Sequence, residues 1–310
     1  MKKLMISMLA MAAMVSCSSE GILDNEEPVI NGGLVPIKLN ASIIGVETKA
    51  AVDGSTDIPD IAILKADTKT ADISTFKWAS ATDIKNETAT FNATSKSITL
   101  NDNKKLYYPS NPDESAVIGA FYPKSLADGT ISSGVVTFKS SELTAGDKDI
   151  MWANVATGTK AKKDEALNLD FGHKLSQLQF SFIKDASFTS SLTVKEIVIK
   201  GTKLPKSINV DTGTITYEDA ASDITITQDI ALDSTPNAIT VLVEANASPS
   251  ITLDITLSDN SKIENVAISD LTTNESAANK VELTFKQQEI NATASIASWS
   301  TGSTGKGNVI

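Results

Sequence analysis

The sequence contains no arginine, since its 27 basic residues are all lysines. Arginine is the side chain best suited to bidentate binding of phosphate and carboxylate groups. Its absence, together with a net charge of −11, argues against nucleic acid as a partner. Aromatic residues make up only 5% of the chain, while threonine, serine, isoleucine and valine are abundant. This composition favours strands over helices.

The chain has one histidine, His173, and one cysteine, Cys17. A Ser-His-Asp arrangement would have to use His173, and a zinc site needs several nitrogen or sulfur ligands. The sequence also lacks a glycine-rich phosphate loop and any metal-ligand spacing. We therefore expect no catalytic residues, no metal and no cofactor, and a structural role for His173. The lone cysteine excludes an intrachain disulfide.

Other residues with possible chemistry are better explained structurally. Asp147-Lys148-Asp149 and Asp164-Glu165 resemble glycosidase carboxylates or calcium ligands, but acid pairs are frequent in acidic β proteins, so we interpret both as solvated turns. Trp78, Trp152 and Trp299 lie on three separate segments. We expect them at core or sheet-edge positions rather than on a sugar-stacking surface.

The first residues have the features of an export signal. Lys2 and Lys3 precede an apolar stretch, Leu4–Val15, that is too short to span a membrane. Small residues then precede the cysteine, and the segment resembles a bacterial lipobox. We expect residues 1–16 to be a lipoprotein signal peptide, cut between Ser16 and Cys17, with Cys17 carrying the lipid. The alternative is an ordinary signal peptide with an incidental cysteine.

Alternating patterns dominate the rest of the chain. Residues 17–34 are polar and aperiodic and are expected to form a flexible tether. From residue 35, short alternating segments separated by turn-forming residues predict an all-β fold of antiparallel sandwiches. A polar run at residues 158–165 suggests two domains in series, 35–163 and 164–310. The predicted strands are 35–44, 60–64, 75–78, 89–93, 97–100, 116–121, 135–138, 150–153, 175–183, 194–200, 208–210, 214–217, 224–227, 238–243, 251–257, 263–268, 281–285 and 290–296.

Several separated motifs resemble those of the Bacteroides-type fimbrillin-like family, the lipoprotein subunits of type V pili. They are the first strand followed by Thr48-Lys49-Ala50, the run from Leu106-Tyr107-Tyr108-Pro109 to Ala120-Phe121-Tyr122-Pro123, Asp149-Ile150-Met151-Trp152-Ala153, Leu169 to Leu178, and Ile296 to Gly302. The resemblance covers about 260 residues in order. It implies two transthyretin-like β-sandwich domains and a structural subunit of a surface pilus that serves adhesion.

The resemblance also implies an assembly mechanism, in which a trypsin-like protease cuts after the first strand and a neighbouring subunit donates a replacement. The cut is expected between Lys49 and Ala50, at lysine because the chain has no arginine. The leaving strand comprises Val35, Ile37, Leu39, Ala41 and Ile43, and the donor strand comprises Ile290, Ala292, Ala294 and Ile296. The alternative for the first strand is that it stays in place permanently.

The expected partners are other pilus subunits, the outer membrane through the lipid, and host or bacterial surface ligands. The expected location is the outer membrane and cell surface, with assembly into fimbriae. A different function is also compatible with these features: a monomeric surface lipoprotein adhesin that binds glycan or host protein. Asp233-Ser234-Thr235 resembles an O-glycosylation acceptor of Bacteroidetes.

Overall fold

The computed structural model describes residues 33–44, 52–129, 131–232, 237–246, 249–286 and 290–298, with backbone only for residues 237–238 and 290–298. The fold is all-β, as predicted. Its strands are β1 (Leu39–Ile44), β2 (Ile58–Lys69), β3 (Lys85–Phe91), β4 (Ser97–Leu100), β5 (Glu114–Tyr122), β6 (Val135–Thr137), β7 (Met151–Gly158), β8 (Leu167–His173), β9 (Ser176–Lys184), β10 (Thr193–Thr202), β11 (Pro205–Asn209), β12 (Ile215–Tyr217), β13 (Ser222–Ala231), β14 (Asn237–Val243), β15 (Thr252–Leu257), β16 (Lys262–Ala267), β17 (Ala277–Phe285) and β18 (Ile290–Ser298).

Short 3-10 turns supply the helical structure of the described residues. They span Thr70–Thr75, Trp78–Ser80, Asn101–Asn103, Lys124–Leu126, Ser140–Leu143 and Lys160–Lys162. Within the described part of the chain, no helix has the length and apolar character needed to cross a membrane.

The first unit has seven strands and closes into a barrel with the strand order β1-β4-β3-β2-β5-β7-β8. Side chains alternate between the two faces of each strand because the backbone is pleated. In β2, Ile61 and Ile63 pack in the cluster that includes the inward residues of β1, while Ala62 and Leu64 belong to a second, larger cluster. Both faces of β2 are therefore buried, which explains its nearly continuous apolar sequence.

The second unit consists of two four-stranded sheets, β13-β10-β15-β16 and β14-β9-β17-β18. Alternate residues of facing strands fill the space between them, including Phe180, Ile197, Leu253 and Leu283, each fully buried. A small sheet, β12-β11-β6, joins the two units because β6 comes from the first half of the chain and β11 from the second.

Two differences from the predicted strands have clear causes. Residues 75–78 do not form a strand: Trp78 begins a 3-10 turn and its ring covers Gly119 of β5, where an added Cβ would lie 2.9 Å from the ring. In addition, β8 was not among the predicted strands. It lies beyond the boundary expected at residue 163, yet it pairs with β7 and β1 in the first barrel.

Candidate functional site

The first strand closes the barrel. β1 lies beside β8 in parallel register, from Leu39 opposite Leu167 to Ile44 opposite Gly172. On its other side it pairs with β4 in antiparallel register over two positions, beginning at Leu39 opposite Ile98. Removal of β1 would therefore open both neighbouring strand edges at once. We refer to the space that β1 occupies as the first-strand groove.

Backbone hydrogen bonds hold the chain along this groove and extend beyond β1 itself. Ala41 N donates to Lys96 O at 2.9 Å, and the N–H of Leu167 donates to the carbonyl of Lys38, also at 2.9 Å. Before β1, residues 35–37 pair with residues 106–108, with Ile37 N to Leu106 O at 2.8 Å. The predicted leaving strand thus has backbone partners over most of its length.

The side chains of the predicted leaving strand alternate as expected. Leu39 is 6% exposed and Ala41 is 5% exposed, and both pack in the barrel cluster with Ile98, Leu169 and Phe171. In a separate small cluster, Val35 packs against Tyr108 and Ala116. Ile37 and Ile43 are half-buried against these clusters, while Ile44 is 62% exposed.

The proposed cleavage site lies outside the described residues. β1 ends at Ile44, and the next described residue is Val52, so Lys49 and Ala50 lie between them. Two contacts hold the returning chain close to the barrel. The N–H of Val52 donates to Asp149 Oδ2 at 3.1 Å, and Gly54, at a φ of +70°, leaves space for Ile43, whose Cδ1 would lie 3.2 Å from a Cβ there.

The predicted donor strand is an edge strand of the second unit. β18 pairs with β17 in antiparallel register over nine positions, from Ala277 opposite Ser298 to Phe285 opposite Ile290. In the sheet order it has no partner on its other side within the described residues. The predicted leaving strand and the predicted donor strand therefore belong to different sheets. They do not pair with each other within this chain. The donor side chains Ile290, Ala292, Ala294 and Ile296 lie outside the described side chains.

A buried polar pair lies at the end of the barrel near Val52. His173 Nδ1 lies 2.6 Å from Asp149 Oδ2, and both side chains are 1% exposed. The interpretation of Asp149 as part of a solvated turn is therefore wrong, because its side chain is buried two residues before β7 begins. Ser276 Oγ also donates to the backbone carbonyl of His173 at 2.8 Å, which links this point to the second unit.

The tryptophans do not form an exposed aromatic surface within the described residues. Trp78 is 1% exposed, and Trp152 is half-buried with its Nε1 donating to Val210 O at 3.1 Å. Trp299, like Ser16 and Cys17, lies outside the described residues. The described residues also contain no group of three or more His, Cys, Asp and Glu side chains arranged to hold a metal ion.

Comparison with known proteins agrees with this architecture. A family model described as "Fimbrillin-like" matches residues 46–299. The chain belongs to the fimbrillin-like family. No curated protein matches the sequence. The fimbrillin-like family is one of fimbrial proteins rather than enzymes.

Solved structures share the fold of this fimbrillin-like chain at low sequence identity. A candidate cell adhesion protein from Bacteroides uniformis is 18% identical, with a TM-score of 0.61, and the alignment covers 87% of this chain and 99% of that one. A second, from Bacteroides ovatus, is 21% identical, with a TM-score of 0.60 and the same coverage. A fimbrial protein from Bacteroides vulgatus is 15% identical, with a TM-score of 0.51, covering 85% and 99%.

Sequence reasoning missed two contributors to the groove. β8 forms one complete wall, although Leu167, Leu169 and Phe171 alternate with polar residues and would have revealed the strand. The second is Asp149, which holds both Val52 and His173. The family-like motif begins at Asp149, but the local sequence does not predict the burial of this residue, because that depends on a partner 24 positions away.

Proposed function

We propose that this fimbrillin-like chain is a structural subunit of a surface pilus that serves adhesion, assembled by release of β1 and donor-strand exchange. The observation that carries the proposal is the position of β1, a single strand inserted between β8 and β4 without a hairpin to either. Neither neighbour follows β1 directly in the sequence, so the segment between Ile44 and Ile58 connects β1 to the rest of the barrel.

Cleavage between Lys49 and Ala50 would sever this connection. The backbone bonds and the buried side chains Leu39 and Ala41 would then hold β1 without covalent help. Fully burying one leucine side chain stabilises a protein by about 1.5–3 kcal/mol, so an empty groove is unfavourable in water. An extended strand from another subunit satisfies the free strand edges and the apolar interior together, which is β-augmentation.

The candidate donor is β18 of a second subunit. It is already an edge strand, and its sequence alternates isoleucine and alanine with polar residues. Ile290, Ala292, Ala294 and Ile296 would supply the side chains that Val35 to Ile43 now supply. The proposed route to this state begins with export, lipid attachment at Cys17 after cleavage at Ser16, and display at the outer membrane surface.

The test is assembly on the native cell surface of the Lys49→Gln variant against a Lys105→Gln control, which alters a lysine that the structure describes as exposed. The proposal predicts high-molecular-weight ladders for the unaltered chain and the control, and none for Lys49→Gln. Ladders of normal length from Lys49→Gln would contradict it. A monomeric surface adhesin, the alternative function, predicts no ladders in any of the three.

A further inference from the structure

An open cleft lies beside the point where the described chain resumes after β1. Its volume is about 620 Å³, and it lies between residues 52–60, the chain around Tyr122 and residues 147–149. The charged and titratable residues that line it are Asp53, Asp57, Asp60, Asp147, Asp149, Lys148 and Tyr122, with His173 behind Asp149. Five aspartates against one lysine give the cleft a strongly negative character.

One of these carboxylates has unused hydrogen-bonding capacity. Asp149 is 3% exposed, and its Oδ2 accepts from Val52 N and lies beside His173 Nδ1. Its other oxygen, Oδ1, is buried and has no hydrogen-bond partner among the described residues. A buried carboxylate oxygen without a donor has lost its hydration with nothing in exchange, so such an atom indicates a missing donor.

The surrounding groups respond to the same negative field. Burial raises the pKa of Tyr122, and the charges of Asp149 and Asp60 raise it further. Asp147 is exposed, and its carboxylate makes no hydrogen bond within the described part of the chain. The cleft therefore combines an orphaned buried acceptor, an available exposed carboxylate and a field that favours a cation.

We propose that this acidic cleft binds the α-ammonium group of Ala50 that forms when the chain is cut after Lys49. This inference rests on the proposed cleavage. Hydrolysis adds water across the Lys49–Ala50 peptide bond and yields a carboxylate on Lys49 and an ammonium group on Ala50. The N–H of Val52 donates to Asp149 Oδ2, which fixes this point of the chain beside the cleft. Two extended residues span at most about 7 Å, so the nitrogen of Ala50 stays within about 7 Å of the nitrogen of Val52 and can reach the Asp149 carboxylate.

The uncut chain cannot make this interaction. Before cleavage, the Ala50 nitrogen is a neutral peptide N–H with a single donor, whereas afterwards it carries a positive charge and three donors. Charge-assisted hydrogen bonds to carboxylates are about twice as strong as neutral ones. Cleavage would thus release β1. It would also bind the new N-terminus at Ala50, which precedes β2, to the end of the barrel.

The test requires a cut at one lysine among 27. Gly45→Asp, Val46→Asp, Glu47→Asp and Thr48→Asp together create a site for enteropeptidase, which cuts after Lys49 and leaves Ala50 first. An excess of a peptide of residues 33–44 keeps the groove filled, and mass spectrometry verifies both fragments. The pKa of the Ala50 amine is then measured from its acetylation rate against pH, in the folded protein and in urea.

The ordinary α-amino pKa is about 7.7–8.0. We expect the folded protein to show a value raised by at least one unit, a tenfold stronger proton affinity, and the urea-unfolded chain to show the ordinary value. Asp147→Asn should lower the folded value, and Asp128→Asn, which alters an exposed aspartate outside the cleft, should not. Equal values in the folded and unfolded chain would overturn the inference.

A second measurement concerns stability. Because the pKa of the amine is raised on folding, its contribution is fully present below pH 7.7 and is lost as pH rises through the folded-state value. The melting temperature of the cut protein should therefore fall more steeply above pH 8 than that of the uncut protein. Equal slopes would count against the inference. Neither measurement depends on polymerisation. A raised pKa in a chain that fails to assemble would therefore refute the pilus proposal and leave the binding of the Ala50 ammonium group intact.

Discussion

Ser42 of β1 donates a side-chain hydrogen bond to Asp170 of β8, its neighbour in register, although 128 positions separate them in sequence. Pairing at this separation leaves β1 without a hairpin partner. One segment, between Ile44 and Ile58, connects it to β2. A single cut in that segment changes β1 from a part of the chain into a bound peptide, which is the physical basis of strand exchange.

The contribution of β1 to stability can be measured in the uncut protein. Leu39→Ala removes a buried side chain from the barrel, and we expect it to lower the free energy of unfolding by about 2–5 kcal/mol, measured by urea denaturation. Ile44→Ala in the same strand is the control, since Ile44 is 62% exposed and should change stability by no more than about 0.5 kcal/mol. Similar losses for both variants would show that β1 does not pack in the barrel.

The buried Asp149 should matter far more than its exposed neighbour. Asp149→Ala removes the acceptor of Val52 N and the partner of His173, and we expect a loss of about 1–3 kcal/mol in the uncut protein. Asp147→Ala, two positions away, is the matched control and should stay within about 0.5 kcal/mol. Stability is measured by thermal and urea unfolding. Equal losses for Asp149→Ala and Asp147→Ala would contradict the buried position of Asp149 at the end of the barrel.

Strand exchange between subunits can be detected by cross-linking, because a chain that begins at Ala50 contains no cysteine. Asp170→Cys places a thiol on the exposed face of β8, and Ser295→Cys or Thr293→Cys places one on β18. We expect one of these double variants to give oxidised polymers that a reducing agent dissociates. Each single variant should give dimers at most.

The matched control for the cross-link is Asp229→Cys combined with the same β18 position, since Asp229 is exposed on β13, an edge strand whose one partner among the described strands is β10. It should give no polymers. A ladder from this control, or none from either Asp170 pair in assembled material, would mean that β18 does not enter the first-strand groove.

Three similar turns determine part of the response to acid. Asp53, Asp185 and Asp259 each accept hydrogen bonds from the backbone and hydroxyl of the serine two positions later, and these bonds lower the pKa of each carboxyl. A lowered pKa gives stability that is present above the unfolded value of about 3.9 and is lost as pH falls through the folded value.

The corresponding triple variant, Asp53→Asn, Asp185→Asn and Asp259→Asn, should weaken the fall in melting temperature between pH 5 and pH 2. Asp72→Asn is the control, because the Asp72 carboxylate makes no hydrogen bond among the described residues. An unchanged acid response in the triple variant would show that these turns do not persist in solution.

The sequence predicted those strands in which apolar and polar residues alternate clearly along the strand itself. Ser97–Leu100 was predicted with its observed bounds, and residues 251–257 match β15 closely, because one face of each strand is buried and the other is more accessible to solvent. Prediction failed where tertiary contacts override the local pattern. Trp78 leaves the sheet to cover Gly119, a contact between residues 41 positions apart that no local pattern contains.

The candidate site divides in the same way. The predicted alternation of the first strand agrees with the burial of Val35, Leu39 and Ala41, whereas Ile37 and Ile43 are half-buried. The partners of that strand were not predictable from local pattern, because β8 and β4 are distant in sequence and one pairing is parallel. The acidic cleft was also missed, since its aspartates come from segments about 90 positions apart and meet only when the barrel closes.

The central claim is that the chain is cut after Lys49 and then exchanges its first strand. Its most direct test is the N-terminal residue, determined by mass spectrometry, of this protein recovered from its native cell surface. The account predicts Ala50 as the first residue, in material that runs as a high-molecular-weight ladder. A lipid-modified Cys17 at the start, with no ladder, would contradict it.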